Sequence, residues 1–112
     1  MPNGGLILLP SAVATNHRDL IAGLATRHRL PAIYSLRIFP ASGGLMSYGV
    51  VLAEPYRQAA SYVDRILKGA KPSQLPVQAA SKFELVINLK TANALGVPVP
   101  PTLLVRADEV IE

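Results

Sequence analysis

The chain contains no cysteine, and this excludes disulfides, thiolate nucleophiles and cysteine-ligated metals. Long hydrophobic runs are also missing. The apolar stretch from Leu6 to Leu9 has four residues, and no stretch approaches the length of a membrane span. The amino-terminal sequence MPNGGLILLPSA lacks the basic segment that opens a secretory signal peptide. As written, the chain is therefore expected to stay in the cytoplasm.

Charged residues are scarce and are not clustered. They make up 16% of the 112 residues, whereas 50% are hydrophobic, which is typical of a chain that folds around a core. The net charge is +4, but the cations are spread along the whole chain. The one tight group, Arg27-His28-Arg29, ends a predicted helix, where the helix dipole favours cations. Nucleic-acid binding needs a clustered basic patch, so we do not expect it.

Catalytic motifs are missing as well. No serine lies in a G-x-S-x-G motif, GGLMSYG is not a phosphate-binding loop, and no acids form a pair near a predicted strand end. His17 and His28 lie on one predicted helix, about 16 Å apart by its rise, which is too far for a shared metal. We therefore expect no enzyme activity, no metal and no cofactor.

The first third of the chain predicts a βαβ unit. GLILLP, residues 5–10, is apolar on both faces, as in a buried parallel strand. Within residues 11–29 a helix is predicted that Thr15 or Asn16 caps, with Asp19 in its first turn. LPAIYS, residues 30–35, is predicted to be the second strand. Such a unit has parallel strands and a right-handed crossover, so the fold class is α/β.

The remaining segments predict further strands and helices. LMSYGVV is predicted to be a third strand and FELVINL a later one, with a short helix KTANALG that ends at Gly96. The clearest helix covers residues 53–69, and its apolar face consists of Tyr56, Ala59, Ala60, Val63, Ile66 and Leu67. The run VPVPP is predicted to be neither helix nor central strand, and the tail TLLVRADEVIE to be a helix capped by Thr102.

Hydroxyl-bearing and aromatic residues stand where the first three predicted strands end. Ser11 follows the first strand, Tyr34 and Ser35 end the second, and Ser47 and Tyr48 lie near the end of the third. Ligands of open α/β sheets bind beyond the carboxyl ends of the strands. The five residues would then form a pocket for a small molecule, held by stacking and neutral hydrogen bonds. Alternatively, the tyrosines are ordinary aromatics at the edge of the core and the serines are turn formers.

Four segments carry a resemblance to a known family: RHRLPAIY, GGLMSYG, YVDRILKGAKPSQLPV and FELVINLKTANALG. Over essentially all of its length the chain resembles the C-terminal part of the substrate-binding proteins of bacterial ABC transporters, in the branch of tryptophan- and tyrosine-type uptake receptors. The resemblance implies a type I periplasmic-binding-protein fold, three-layered with a mostly parallel sheet. In that fold two α/β lobes close on a ligand, and the chain crosses between them three times.

The resemblance also implies a division of the chain. Residues 5–45 would belong to the second lobe, residues 46–70 would form a crossing strand and a helix of the first lobe, and residues 71–112 would return to the second lobe. LMSYG would then enter a hinge, with Tyr48 near the cleft. Most of the first lobe has no counterpart, so we expect an incomplete fold from a truncated reading frame, a split gene or an excised piece. Relatives often carry acids at the positions of Ser11 and Ile38, and their replacement makes a cationic ligand less expected.

The function that the resemblance implies is solute binding without catalysis. The receptor would bind a small molecule, an amino acid or an aromatic compound, in its cleft and deliver it to an ABC permease. The full-length family is expected in the periplasm. The alternative is a truncated α/β domain that binds no solute and forms a homodimer through the exposed apolar face of the helix of residues 53–69. Neither hypothesis involves nucleic acid or a membrane span.

Overall fold

The computed structural model describes residues 3–112. It divides the chain into two compact units. The first unit comprises the chain up to Gly49 together with residues 84–112, and the second comprises residues 50–83.

The first unit begins with the predicted strands. Strand β1 spans Leu6–Leu8, and strand β2 spans Ala32–Tyr34. The two strands are parallel, with Leu6 opposite Ala32 and Leu8 opposite Tyr34. A parallel pair with helix between its strands confirms the predicted βαβ unit.

One helix was predicted between these strands, and the structure has two. Helix α1 spans Ala12–Asn16 and helix α2 spans Arg18–Arg27, and His17 separates them. The predicted helix corresponds to α2, which has Asp19 in its first turn as predicted, but its cap is His17 and not Thr15 or Asn16. Helix α1 was not predicted, and its cap is Ser11. Ser11 is extended, and its hydroxyl oxygen accepts a hydrogen bond from the amide of Ala14 at 3.4 Å.

The next elements lead out of the first unit. Helix α3 spans Ile38–Ala41, within a segment that was predicted to be irregular, and strand β3 spans Met46–Val50. Strand β3 is parallel to β2, with Tyr34 opposite Ser47.

The second unit contains the longest helix of the described chain. Helix α4 spans Ala53–Leu67, and a 3-10 turn at Pro72–Gln74 follows it. Lys68 caps α4, and Gly69 has a φ of +108°, as the predicted end of this helix requires. The hydroxyl of Tyr62 donates a hydrogen bond to the carbonyl of Pro76, so the segment after the turn lies along the helix. No residue of α4 is buried.

The chain returns to the first unit through strand β4, Phe83–Asn88, and continues into helix α5, Leu89–Leu95. Helix α6 spans Pro101–Arg106 and strand β5 spans Glu109–Ile111. The predicted last helix is confirmed only in its first half, and its cap is Pro100 and not Thr102. Pro101, the last residue of the run predicted to be non-helical, lies in this helix. The helix begins at Pro101, because proline suits the first helical position, and the final residues pair with β4.

The five strands form one mixed, mostly parallel sheet in the order β1-β2-β3-β4-β5. Strands β4 and β5 are parallel, with Val86 opposite Glu109. Between β3 and β4 the direction reverses. The amide of Asn88 donates to the carbonyl of Leu45 and the amide of Val51 donates to the carbonyl of Lys82, which is an antiparallel register. The amino ends of β4 and β5 therefore lie at the edge where β1, β2 and β3 end.

The core of the first unit is built from small residues around an aromatic pair. Tyr34 and Phe39 are stacked, with ring centroids 4.5 Å apart and an interplanar angle of 8°. Three alanines complete this cluster, namely Ala14, Ala25 and Ala32. On the interior strand β4, Val86 and Ile87 are fully buried. No helix within residues 3–112 is both long and apolar enough to cross a membrane.

Candidate functional site

The edge of the sheet at which β1, β2 and β3 end and β4 and β5 begin is here called the carboxyl edge. The side chains considered below belong to the first unit, and this is the edge at which open α/β sheets bind ligands. All five residues that the sequence predicts as ligand contacts belong to strands or loops that approach this edge.

Ser11 lies just beyond the end of β1 and is exposed. Its hydroxyl oxygen caps α1, and its carbonyl oxygen accepts a hydrogen bond from the hydroxyl of Thr15 at 2.9 Å. The cap therefore fixes the side chain at the carboxyl edge. A serine hydroxyl has one proton to donate, and the capping bond uses only the oxygen as an acceptor.

Tyr34 and Ser47 lie side by side on β2 and β3, on the same face of the sheet. Both are buried, with 2% and 1% of their surface exposed. Neither hydroxyl has a hydrogen-bond partner. Burial raises the pKa of Tyr34 above its ordinary value of 10.0, because the phenolate is poorly solvated there. The structure thus brings these two residues together beneath the carboxyl edge and not at its surface.

Ser35 and the end of β3 approach each other closely. A Cβ atom on Gly49 would overlap the carbonyl oxygen of Ser35, so only glycine allows this contact. The neighbouring Tyr48 points to the other face of the sheet and is 57% exposed. Ser35 itself is half-buried. The structure therefore brings Ser35 and the strand that contains Tyr48 together at the carboxyl edge.

A second glycine shapes the loop before β3. A Cβ atom on Gly44 would lie 2.7 Å from the ring of Tyr34 and 2.9 Å from the carbonyl oxygen of Phe39. Gly44 is buried, and its amide donates to that same carbonyl at 2.8 Å. The glycine-rich stretch therefore packs against the aromatic pair before it enters β3.

An ion pair at the carboxyl edge was not anticipated from the sequence. The guanidinium of Arg37 donates from Nε to Oε2 of Glu109 at 2.7 Å and from Nη2 to Oε1 at 2.6 Å. This hydrogen bonding and the carboxylate charge raise the pKa of Arg37, and the charge of Glu84 adds to the effect. The pair was missed because the tail was predicted as a helix, which gave Glu109 no place at this edge.

The start of β5 is fixed to β4 by a reciprocal pair of hydrogen bonds. The amide of Asp108 donates to the carbonyl of Leu85 at 2.8 Å, and the amide of Leu85 donates to Oδ2 of Asp108 at 2.7 Å. Three carboxylates, those of Glu84, Asp108 and Glu109, thus stand at the carboxyl edge with Arg37. The sequence had indicated no grouped acids near a strand end, and the antiparallel return of the chain is the reason for the difference.

A polar network lies at the opposite edge, where β4 ends. Asn88 is buried. Its Nδ2 donates to the carbonyl of Pro40 at 2.9 Å, and its Oδ1 accepts from the amide of Thr91 at 3.1 Å. The hydroxyl of Thr91 donates to the carbonyl of Gly43 at 2.9 Å. These side chains hold α5 against the loop after α3. The polar groups of both side chains are therefore hydrogen-bonded within the fold.

Metal binding has no candidate site in the described part of the chain. Residues 3–112 contain no group of three or more histidine, cysteine, aspartate or glutamate side chains that could hold a metal ion. His17 separates α1 from α2, and His28 caps the end of α2.

Comparison with solved structures gives clear matches. A crystal structure of a conserved domain protein from Vibrio cholerae matches with a TM-score of 0.86 and 27% sequence identity, over 94% of this chain and 36% of that one. A domain from Streptococcus pneumoniae in complex with L-Trp matches with a TM-score of 0.82 and 26% identity, over the same shares.

A third structure shares the fold at lower identity. It is the ligand-free, open structure of a substrate-binding protein with adhesive properties from Clostridium difficile, with a TM-score of 0.64 and 18% identity. It is covered over 36% of its length, so the chain spans about a third of each of these proteins. The sheet is therefore part of a periplasmic-binding-protein fold, as the resemblance implied.

No curated protein sequence matches the chain. The family model described as ABC transporter substrate binding protein matches residues 3–111, which is nearly the whole chain. With this match, the chain belongs to the family of ABC transporter substrate-binding proteins.

Proposed function

We propose that this chain is the C-terminal part of a solute receptor, which binds a small molecule for delivery to an ABC permease without catalysing a reaction. The observation that carries the proposal is the match of the family model over residues 3–111. The solute class we propose is an amino acid or an aromatic compound, supported by the related domain that was solved with L-Trp. We place the complete receptor in the periplasm, where such a solute would be captured.

The proposed contacts are the five residues predicted from the sequence. Three of them support direct contact, because Ser11 and Tyr48 are exposed near the carboxyl edge and Ser35 is half-buried there. A tyrosine ring and serine hydroxyls suit a ligand with an aromatic ring and neutral polar groups. Tyr34 and Ser47 lie beneath the carboxyl edge. Their hydroxyls are buried and have no hydrogen-bond partner, so they would contact the ligand from the interior side of the site.

The lobes that the resemblance implies remain part of the proposal. In it, residues 5–45 belong to one lobe, residues 46–70 cross and add a helix to the other, and residues 71–112 return. The chain leaves the first unit after Gly49 and re-enters it at Glu84, which supports two of the three crossings.

The experiment that tests the proposal is equilibrium dialysis of radiolabelled L-tryptophan and L-tyrosine against the native polypeptide that contains these residues. We expect saturable binding of one of them, which the variant Tyr48→Ala weakens about tenfold or more. The matched control is Tyr56→Ala, because Tyr56 is an exposed tyrosine of α4 in the second unit. Equal loss of binding in both variants would contradict the site.

A second function is favoured by one observation. Helix α4 exposes large apolar side chains along one stripe, with Leu67 82% and Tyr56 75% exposed, and Val63 lies between them at helical spacing. We propose as the alternative that this stripe forms a homodimer interface in a domain that binds no solute. A symmetric dimer would bury the same stripe of both copies.

Sedimentation equilibrium separates the two functions. The alternative predicts a dimer that Leu67→Glu dissociates, and no change in sedimentation with any amino acid. A monomer at all protein concentrations would overturn the alternative. Lys68→Glu is the matched control, since it also adds negative charge beside the stripe.

A further inference from the structure

Two neighbouring strands link the first unit to the rest of the chain. The chain leaves this unit after Gly49, near the end of β3, and returns at Glu84, near the start of β4. Both points lie at the carboxyl edge. A contact that holds both strands there fixes the places at which the chain leaves and re-enters the unit.

The loop after β2 contacts the first of these strands. The carbonyl oxygen of Ser35 lies directly against Gly49, in the space that a Cβ atom would need. The contact is one of backbone with backbone. It places the start of the loop of residues 35–37 on the exit strand β3.

The same loop reaches beyond the second strand. Arg37 forms its bidentate ion pair with Glu109, the first residue of β5. In the sheet order β2-β3-β4-β5, an ion pair between the loop after β2 and the start of β5 spans both linking strands. The fork geometry of the guanidinium fixes the direction of this span as well as its length.

The far end of the span is anchored to the return strand. Asp108, next to Glu109, exchanges two hydrogen bonds with Leu85 of β4. The charge of Glu84 also acts on Arg37. The loop of residues 35–37 is thus connected to β3 through Ser35 and to β4 through Glu109 and Asp108.

We propose that Arg37 is a positioning residue, which acts through its ion pair with Glu109 to hold the exit strand β3 and the return strand β4 together at the carboxyl edge. A solute bound at the carboxyl edge would take no part in this role. Its consequence for solute binding rests on the proposed receptor function, whereas the local ordering of the two strands does not.

Amide hydrogen exchange of the full chain tests the proposal. In Arg37→Met we expect the protection of the amides of residues 48–51 and 84–86 to fall about fivefold, the upper range for an exposed ion pair. The double variant Arg37→Met with Glu109→Gln should exchange at the same rate as Arg37→Met alone, because one contact is lost in both. Lys68→Gln is the matched control, since it breaks the exposed pair of Lys68 with Asp64 on α4.

Unchanged protection in Arg37→Met, or losses that add in the double variant, would overturn the proposal. If the variants do not fold, the wild-type chain still supplies a test through salt screening. Protection of residues 48–51 should then fall between about 0.05 M and 1 M NaCl, while that of α3 stays constant. Equal protection of residues 48–51 at both salt concentrations would also overturn it.

Discussion

At the scale of single residues, the carboxyl edge depends on a few side chains and on Gly49, which has no side chain. Ser11 and Ser35 are there because strands β1 and β2 end there, which the sequence shows directly. Arg37 and Glu109 are 72 residues apart in the chain and meet only through the order of the strands. No local sequence pattern predicts such a pair. Prediction from the sequence therefore places the two serines at this edge but misses the ion pair of Arg37 with Glu109.

Gly49 gives the first prediction at this scale. Gly49→Ala should lower the free energy of unfolding by about 1–3 kcal/mol, because the new Cβ atom forces the Ser35 carbonyl away. Urea denaturation measures the change. Gly23→Ala is the control, since α2 offers open space there and alanine should stabilise the helix by about 0.5–1 kcal/mol. An unaltered stability in Gly49→Ala would contradict the close approach.

Tyr34 gives a prediction of pH dependence. Burial raises its pKa above 10.0 in the folded chain, so the unfolded chain loses this proton at a lower pH. Between the two pKa values the folded chain binds more protons, and stability falls as the pH rises above about 10. The stabilising effect of the neutral phenol is fully present below that pH.

The variant Tyr34→Phe tests this dependence. Its urea midpoint should fall less than that of the wild-type chain between about pH 8 and pH 11, because phenylalanine has no proton to lose. At pH 8 the variant should be within about 1 kcal/mol of wild type, since the buried hydroxyl has no partner. Tyr56→Phe, at an exposed position, should follow the wild-type curve. Identical alkaline curves for Tyr34→Phe and wild type would refute the role of Tyr34.

At the scale of elements, the sequence predicts the strands and helices whose limits are set by residues close to them in the chain. The strands up to β4 and helix α4 are where apolar periodicity and the end signal at Gly69 place them. Strand β5 is different. It has three residues and is a strand because Val86, Ile87 and Asn88 pair with it. Helix α1 was not predicted, because its five residues lie before the start predicted for the helix and are too few to show an apolar periodicity.

Asn88 gives the prediction at this scale. Asn88→Ala should lower the free energy of unfolding by about 1–3 kcal/mol, because it removes the cap of α5 and one of the two donors to the Pro40 carbonyl, which keeps only the amide of Gly43. Thermal and urea denaturation measure the loss. Asn93→Ala, at an exposed position of the same helix, should change stability by less than about 0.5 kcal/mol. Similar losses in both variants would show that the network is not the cause.

At the scale of the whole molecule, the chain forms part of a periplasmic-binding-protein fold. It covers 36% of the length of the related structures and shares their backbone at a TM-score of up to 0.86. Apolar side chains are exposed in both units, such as Ile7 on β1 and Leu67 on α4. Surfaces of this kind are normally covered by further protein. The family is evident from the sequence, whereas the surface that packs against these faces is not, because apolar exposure alone does not identify its partner.

The most direct test of the central claim is the binding of amino acids by the native polypeptide, isolated from its source cells with an antibody against residues 83–112. Equilibrium dialysis with a panel of labelled L-amino acids measures both the solute and the stoichiometry. A solute receptor predicts saturable binding of one chemical class, with one molecule bound per polypeptide. A polypeptide that binds no member of the panel, and sediments as a dimer that Leu67→Glu dissociates, would contradict the receptor function and support self-association.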